Sequence, residues 1–201
     1  MQKLILATGS ARRHHLFRGL GLSFNIDRPT VEESYPEHYS PDEVAVYLAR
    51  IKGDEIAARH PHALVVSADT LVVLDGQILG KPKDAAEAKE MLGLLSGRTH
   101  SVYTGVQCVL TDADAGVKES FQFYEKTNVT FASLSEQEID HYVAGGSPLD
   151  KAGAYGIQDD GGSLFVQKIE GDYYTVVGFP LHAFYQQLKN RMPECWNRLF
   201  L

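Results

Sequence analysis

Residues 3–13 read KLILATGSARR, an apolar run that breaks at a Gly-Ser pair and continues into two arginines. The run from Lys3 to Thr8 predicts a buried strand. Ser10 is a favourable N-cap for the helix that follows, and Gly21 is a natural stop at its end. The stretch therefore predicts a strand–turn–helix unit, the local arrangement from which α/β folds are built.

The rest of the chain shows strand and helix patterns in alternation, without repeats or linker-like stretches. Ser40 begins a capping box with proline at the first helical position. An apolar run at residues 64–68 predicts a buried strand that ends at Asp69, and Asp75-Gly76 predicts a hairpin. The other predicted elements are a helix from Asp84 towards Leu95, strands at 101–110 and 118–131, a short helix after Ser135, strands near 163–169 and 173–178, and a last helix after Pro180. Together they predict an α/β fold with a mixed sheet, in a single domain over residues 1–201.

The charge balance excludes one class of partner. The 201 residues include 19 lysines and arginines against 26 aspartates and glutamates, which gives a net charge of −7. Non-specific binding of nucleic-acid polymers requires a basic surface, so we expect no nucleic-acid polymer as partner. A locally basic pocket can still bind one phosphorylated small molecule.

The sequence also predicts a cytoplasmic protein with no membrane segment. No apolar run approaches the roughly 18 residues of a membrane span, and the order of apolar and basic residues at the start is wrong for a secretory signal. Cys108 and Cys195 are isolated, which is typical of reduced thiols in a cytosolic protein.

The first candidate site lies where the first helix begins. Arg12 and Arg13 follow the N-cap Ser10, although cations at a helix N-terminus oppose the macrodipole. A bound anion reverses that penalty, because free backbone N–H groups, the Ser10 hydroxyl and two guanidinium groups all favour phosphate. The alternative is two exposed arginines on a surface helix, and the spacing alone does not decide between them.

Charged residues in three further segments can join the same chemistry. At about 100° per residue, Lys52 lies beside the apolar stripe of its helix, whereas Arg50 points away from it. Asp69 stands at the end of a buried strand, where desolvation raises a carboxyl pKa and suits it to be a general base or a metal ligand. The alternative is a carboxylate that caps a turn. Glycine and proline flank Lys81 and hold it near the exit of the hairpin.

Two other features concern the metal and the base. Glu32 and Glu33 can supply further carboxylate oxygens, and such hard ligands favour Mg²⁺ or Mn²⁺ over zinc. The irregular, glycine-rich stretch 150–158 is typical of a binding loop. Within it, Gln158 can hydrogen-bond a base edge, and Tyr155 can stack on a base or pack in the core.

Taken together, these segments resemble the Maf family of nucleoside triphosphate pyrophosphatases. The match extends over nearly the whole chain, in the family's order and spacing. The family's usual Ser-Pro-Arg-Arg has Ala11 in place of proline, Gly53 follows Lys52 in place of alanine, and Phe179 replaces a leucine. The matching segments are ATGSARR, VEE, LARIK, SADT, LGKP, LSGRTHSVYTGV, DKAGAYGIQ and VVGFP.

The resemblance implies an inosine-triphosphatase-like fold, with an elongated curved mixed sheet flanked by helices and two lobes around a central cleft. It implies hydrolysis of a nucleoside triphosphate to the monophosphate and pyrophosphate, with Asp69 as proton acceptor and a divalent cation, Mg²⁺ or Mn²⁺, as cofactor. Glu33 and Asp69 are the expected metal ligands. The expected substrate-binding residues are Ser10, Arg12, Arg13, Lys52, Thr70, Lys81 and Gln158.

The resemblance also implies a substrate preference. Thr70 after the aspartate, the GRTH segment and Gln158 resemble the members that favour dTTP and UTP, whereas members that favour 7-methyl-GTP typically carry glutamine after the aspartate. Two alternatives stay open: a pyrophosphatase for 7-methyl-GTP or damaged purine triphosphates, and a non-catalytic nucleotide-binding regulator of cell division. Family members are often homodimers, so a homodimer is an expectation as well.

Overall fold

The strand–turn–helix unit predicted from residues 3–13 is present in the computed structural model, which describes residues 3–158 and 161–201. Strand β1 spans Lys3–Ala7 and helix α1 spans Ala11–Gly19. The Ser10 side chain accepts a hydrogen bond from the backbone N–H of Arg13 at 3.5 Å and so caps α1. Gly21 follows the helix with a positive φ of 71°.

The remaining elements alternate as the sequence predicts, with three additions. The additions are a short strand at Asn25–Asp27, a separate helix at Pro193–Phe200 and 3₁₀ turns at Ser147–Asp150, Ala152–Ala154 and Gly162–Phe165. The elements after α1 are β2 (Asn25–Asp27), α2 (Pro41–Ala57), β3 (Ala63–Leu74), β4 (Gln77–Leu79), α3 (Ala85–Leu95), β5 (Thr99–Thr111), β6 (Val117–Phe131), α4 (Glu136–Ala144), β7 (Val166–Glu170), α5 (Tyr173–Val177), α6 (Leu181–Arg191) and α7 (Pro193–Phe200).

The described strands form one seven-stranded sheet in the order β2-β1-β3-β5-β6-β7, and β4 pairs with β3 outside this path. Strand β1 runs parallel to both β2 and β3, whereas the β3–β4 and β6–β7 pairs are antiparallel. The predicted mixed sheet in an α/β fold is therefore confirmed.

The chain divides into two compact units. The first contains the chain up to Asp69, Thr104–Glu125 and Gly178–Leu201. The second contains Thr70–Tyr103 and Lys126–Val177. A buried cluster that joins α2 to β1, β3 and β5 lies in the first unit, and a larger one around α3, α4 and the ring of Phe131 lies in the second.

Two predicted elements are wrong in detail. Strand β3 does not end at Asp69 but continues to Leu74, because the residues after the aspartate pair with β4. The segment 173–178, predicted as a strand from its β-branched residues, contains helix α5. The Asp172 carboxylate accepts hydrogen bonds from the Thr175 N–H at 2.8 Å and hydroxyl at 2.9 Å, and this cap outweighs the strand preference.

Two further expectations concern the cysteines and the membrane. Cys108 and Cys195 are both buried, and neither forms a disulfide. Within the described ranges, no helix is long and apolar enough to cross a membrane.

Helix α2 lies so close to the sheet that two glycines are required at the contact. A Cβ on Gly105 of β5 would lie 2.2 Å from the backbone carbonyl oxygen of Ala45. A Cβ on Gly53 would lie 2.1 Å from Oε1 of Gln107 and 2.5 Å from Oγ of Ser67. With glycine at position 53, the Ser67 hydroxyl of β3 lies against α2 and donates a hydrogen bond to the Ala49 carbonyl at 2.7 Å. Small residues thus let the helix backbone contact β3 and β5 directly.

Gly105→Ala is expected to destabilise the protein by about 3 kcal/mol, because overpacking against a backbone carbonyl can be relieved only by moving α2. Urea unfolding followed by circular dichroism measures this loss. Gly93→Ala in α3 is the matched control, since a Cβ there meets nothing within 4 Å. The control should be neutral or more stable, and equal stability of the two variants would contradict the close approach.

A buried histidine belongs to the core of the second unit. His100 is 2% exposed, its Nε2 lies 2.7 Å from the Tyr155 hydroxyl, and its ring packs edge-on against Phe131 and Tyr155. Its Nδ1 has no hydrogen-bond partner among the described residues. Burial lowers the pKa of His100 from 6.5 to about 4, because the site does not solvate an imidazolium.

The unfolding free energy is expected to fall as the pH drops from about 6.5 towards 4. In that window His100 binds a proton when unfolded but not when folded, which removes roughly 3 kcal/mol of stability at the acid end. Urea titrations at pH 7, 5.5 and 4.5 should show a smaller pH dependence for His100→Gln. The exposed His141 of α4 is the control, and His141→Gln should keep the wild-type slope. The same slope in His100→Gln and wild type would contradict this assignment.

Candidate active site

The centre of the candidate site is a lysine that contacts two carboxylates. Lys52 Nζ donates a hydrogen bond to Oδ1 of Asp69 at 2.6 Å and lies 2.9 Å from Oε1 of Glu33. Lys52 is 8% exposed and Asp69 is 7% exposed, whereas the Glu33 side chain is 52% exposed. The Lys52–Asp69 ion pair is therefore buried, whereas the Glu33 carboxylate that also contacts Lys52 is accessible to solvent.

The helical period of α2 places Lys52 on the buried face, as the sequence predicts. It follows Leu48 by one turn and precedes Gly53, which lies against the Gln107 and Ser67 side chains of the sheet. Arg50 points away from this face: it is 43% exposed at the side chain and pairs with Asp54 at 3.5 Å. The predicted difference between the two cations is confirmed.

Opposing effects act on the Asp69 carboxyl. Burial raises the pKa of Asp69 above its usual range, while the charges of Lys52 and Arg13 lower it and that of Glu33 raises it. Because burial is the largest of these effects, Asp69 has a greater proton affinity than an exposed aspartate. Such a carboxylate is suited to accept a proton from a reacting water.

The beginning of α1 lies near this carboxylate. Strands β1 and β3 are parallel, with Ala7 opposite Ser67, so Asp69 in the middle of β3 lies close to the point where β1 ends. The charge of Asp69 acts on the Arg13 guanidinium, although burial has the larger effect and lowers the pKa of Arg13 to about 10. Ser10, Arg12 and Arg13 are therefore brought to the same site as Lys52, Asp69 and Glu33.

The protein itself holds the Arg13 guanidinium in place. Its Nε donates to the Gly178 carbonyl at 2.8 Å, and its Nη1 donates to Oγ1 of Thr8 at 3.3 Å. Arg12 is partly buried in the first turn of α1. The Ser10 hydroxyl accepts the Arg13 N–H and keeps its own proton to donate. Arg13 is thus a fixed positive charge at the start of α1.

Sequence reasoning did not identify two residues that support this arrangement. The first is Thr8: its Oγ1 also accepts a hydrogen bond from the Ser10 N–H at 3.1 Å, and the backbone carbonyl oxygen of Thr8 lies 3.0 Å from Nε2 of His14. The second is Gly178. Gly178 has a φ of 121°, a backbone conformation that favours glycine. The VVGFP motif contained the signal for Gly178, but nothing local indicated that its carbonyl would accept from Arg13.

Three predicted substrate-binding residues belong to the second unit. Thr70 is partly buried in β3, Lys81 is exposed after β4, and Gln158 is exposed next to residues 159–160, which lie outside the described ranges. The Gly80 carbonyl accepts a hydrogen bond from the Gly153 N–H at 3.0 Å. This contact joins the LGKP and DKAGAYGIQ segments within the second unit.

Two HAM1 proteins of known structure show a remote similarity to this chain. The structure from Coxiella burnetii has a TM-score of 0.46 and 18% sequence identity, covering 67% of this chain and 75% of that chain. The structure from Staphylococcus aureus has a TM-score of 0.42 and 13% identity, covering 65% of this chain and 72% of that one.

Sequence relatives are much closer and extend over almost the full length. A Bacillus cytotoxicus protein named dTTP/UTP pyrophosphatase is 49% identical over 189 residues, 94% of this chain and 95% of the relative. A Bacillus cereus protein of the same name has the same identity and coverage. The family described as Maf-like protein matches residues 3–191, which include every residue of the site described above. This chain therefore belongs to the Maf-like protein family.

Proposed function

We propose that this chain hydrolyses dTTP and UTP to the nucleoside monophosphate and pyrophosphate. The observation that carries the proposal is the buried Asp69–Lys52 pair, which lies close to the point where β1 ends and α1 begins. It combines a carboxylate of raised pKa with cationic groups suited to a polyphosphate. The names of the close relatives support the same reaction.

Asp69 is assigned the role of general base. Lys52 holds Oδ1, and Oδ2 is the oxygen to which we assign the proton of the attacking water. The water oxygen forms a bond to the α-phosphorus while the bond to the bridging oxygen of the β-phosphate breaks, and pyrophosphate leaves. The raised pKa of Asp69 favours this proton transfer, because burial makes the ionised carboxylate a stronger base.

The cationic groups bind and orient the phosphates. Backbone N–H groups at the start of α1, the Ser10 hydroxyl and the Arg12 guanidinium are suited to hold phosphate oxygens. Arg13, fixed by Gly178 and Thr8, supplies positive potential without leaving its protein partners. The substrate-binding roles of Thr70, Lys81 and Gln158 stay predictions from the family resemblance.

The donor set fits a divalent cation that is completed by the substrate. Glu33 and Asp69 share the Lys52 ammonium, and the described residues contain no group of three or more His, Cys, Asp or Glu side chains that could hold a metal alone. Mg²⁺ is typically bound by one or two carboxylates together with phosphates and waters. Glu33 and Asp69 would hold Mg²⁺ or Mn²⁺, which supplies neutralisation of phosphate charge when bound.

Asp69→Asn is expected to lower kcat by about 10²–10⁴-fold, because the amide cannot accept the proton. Nucleotide binding should change much less, since the cationic groups are retained. Pyrophosphate release with Mg²⁺ or Mn²⁺ and calorimetric titration with dTTP measure the two effects. The exposed Asp140 provides a matched control, and Asp140→Asn should behave as wild type.

A regulator that only binds nucleotides gives a different result. Wild type would then bind dTTP, release no pyrophosphate with either metal, and bind the nucleotide as Asp69→Asn does. That outcome would show that the protein binds nucleotides without hydrolysing them, and would overturn the proposed function.

Substrate preference is expected to favour dTTP and UTP over 7-methyl-GTP and over damaged purine triphosphates such as ITP. The expectation rests on the names of the relatives and on Thr70, which follows Asp69 directly. A panel of triphosphates, compared by kcat/KM with pyrophosphate detection, measures it. A higher kcat/KM for 7-methyl-GTP or ITP than for UTP would overturn the pyrimidine assignment while leaving the hydrolysis in place.

A further inference from the structure

The segment that carries Glu33 has no regular secondary structure after β2. It leaves the sheet at Asp27, passes through Thr30 and Val31, and reaches Glu33 before the capping box of α2. Glu33 itself is half-exposed, so packing of its side chain contributes little to its position. Its contact with Lys52 therefore requires some other constraint on the segment.

Glu55 of α2 supplies a set of hydrogen bonds to this segment. Its Oε2 accepts the backbone N–H groups of Thr30 at 2.8 Å and Val31 at 3.1 Å. Its Oε1 accepts the Thr30 hydroxyl at 2.7 Å and the Arg59 guanidinium at 3.0 Å. These bonds lower the pKa of Glu55, because they stabilise its ionised form.

The contacts follow the helical period of α2. Lys52 and Glu55 are three residues apart and share one face of α2, and Arg59 follows directly after the end of the helix. Their partners lie in the opposite order along the chain: Glu33 contacts Lys52, Thr30 and Val31 contact Glu55, and Asp27 contacts Arg59. Asp27 accepts from Nε2 of His60 at 2.8 Å and lies 3.9 Å from Nε of Arg59. Residues 27–33 thus lie antiparallel along the last turns of α2.

We infer that Glu55 is a positioning residue that holds Glu33 against Lys52 by fixing the backbone at Thr30 and Val31. Two residues span at most about 7 Å of extended chain, so an anchor at Val31 restricts where the Glu33 carboxylate can lie. The inference rests on the proposed function, in which Glu33 binds the divalent cation. Both backbone N–H groups bond to the same carboxylate oxygen, Oε2, so Glu55→Ala, which removes every acceptor at this position, tests the anchor.

The first test measures the segment itself, without turnover. In Glu55→Ala, hydrogen–deuterium exchange of the Thr30 and Val31 amides should be at least about tenfold faster, because both donors lose their acceptor. Thr30→Val removes only the hydroxyl contact and should give a smaller increase. Arg59→Ala is the matched control: it removes the ion pairs of Arg59 but leaves the amide bonds to Glu55, so exchange should stay near wild type.

The second test measures the effect on Glu33. Glu55→Ala should weaken Mn²⁺ binding in the presence of dTTP by several-fold to tenfold in calorimetry, and raise the KM for Mg²⁺ more than it lowers kcat. Glu33→Gln should weaken metal binding without faster amide exchange at Thr30 and Val31. The double variant should bind Mn²⁺ no worse than Glu33→Gln alone, because Glu55 acts only through Glu33.

Each outcome decides the inference. Wild-type Mn²⁺ affinity in Glu55→Ala, additive losses in the double variant, or a wild type that does not bind Mn²⁺ would overturn it. A loss of thermal stability with no change in KM or metal affinity would assign Glu55 a structural role alone, and would overturn it too. Mn²⁺ binding that depends on Glu55, in a protein that releases no pyrophosphate, would support the positioning role and overturn the proposed hydrolysis instead.

Discussion

The site depends on one buried ammonium that two carboxylates share. Lys52 Nζ lies within 3 Å of oxygens from both Asp69 and Glu33, in a region from which water is largely excluded. Removing a charge from water is costly unless partners are held at short distance. The backbone contacts of α2 with β3 and β5 satisfy that condition, and Gly53 and Gly105 make those contacts possible.

The same constraint explains how an acidic chain builds a site suited to a polyanion. The protein carries a net charge of −7, yet Lys52, Arg12 and Arg13 are brought together near Asp69, where β1 ends. The carboxylates there offset part of this positive charge, and one of them, Asp69, has a raised pKa because it is buried. Positive potential and a basic carboxylate can therefore coexist within a few ångströms.

Local patterns in the sequence predicted most of the fold and the orientation of several side chains at the candidate site. The period of α2 placed Lys52 inward and Arg50 outward, and the N-cap at Ser10 placed the first turn of α1 correctly. The prediction was wrong where two local signals competed. Asp69 looked like the end of a strand but lies inside β3, and residues 173–178 had strand-forming side chains but an aspartate cap that begins α5.

The sequence by itself determined most of the elements, the candidate site residues and the family to which the chain belongs. Only the tertiary structure decided that the Gly178 carbonyl accepts from Arg13, 165 residues away, and that Glu55 fixes the segment carrying Glu33. The physical reason is the range of each constraint. Capping and periodicity act over one or two helical turns, whereas the contacts that orient Arg13 and Glu33 depend on how α1, α2 and the sheet pack together.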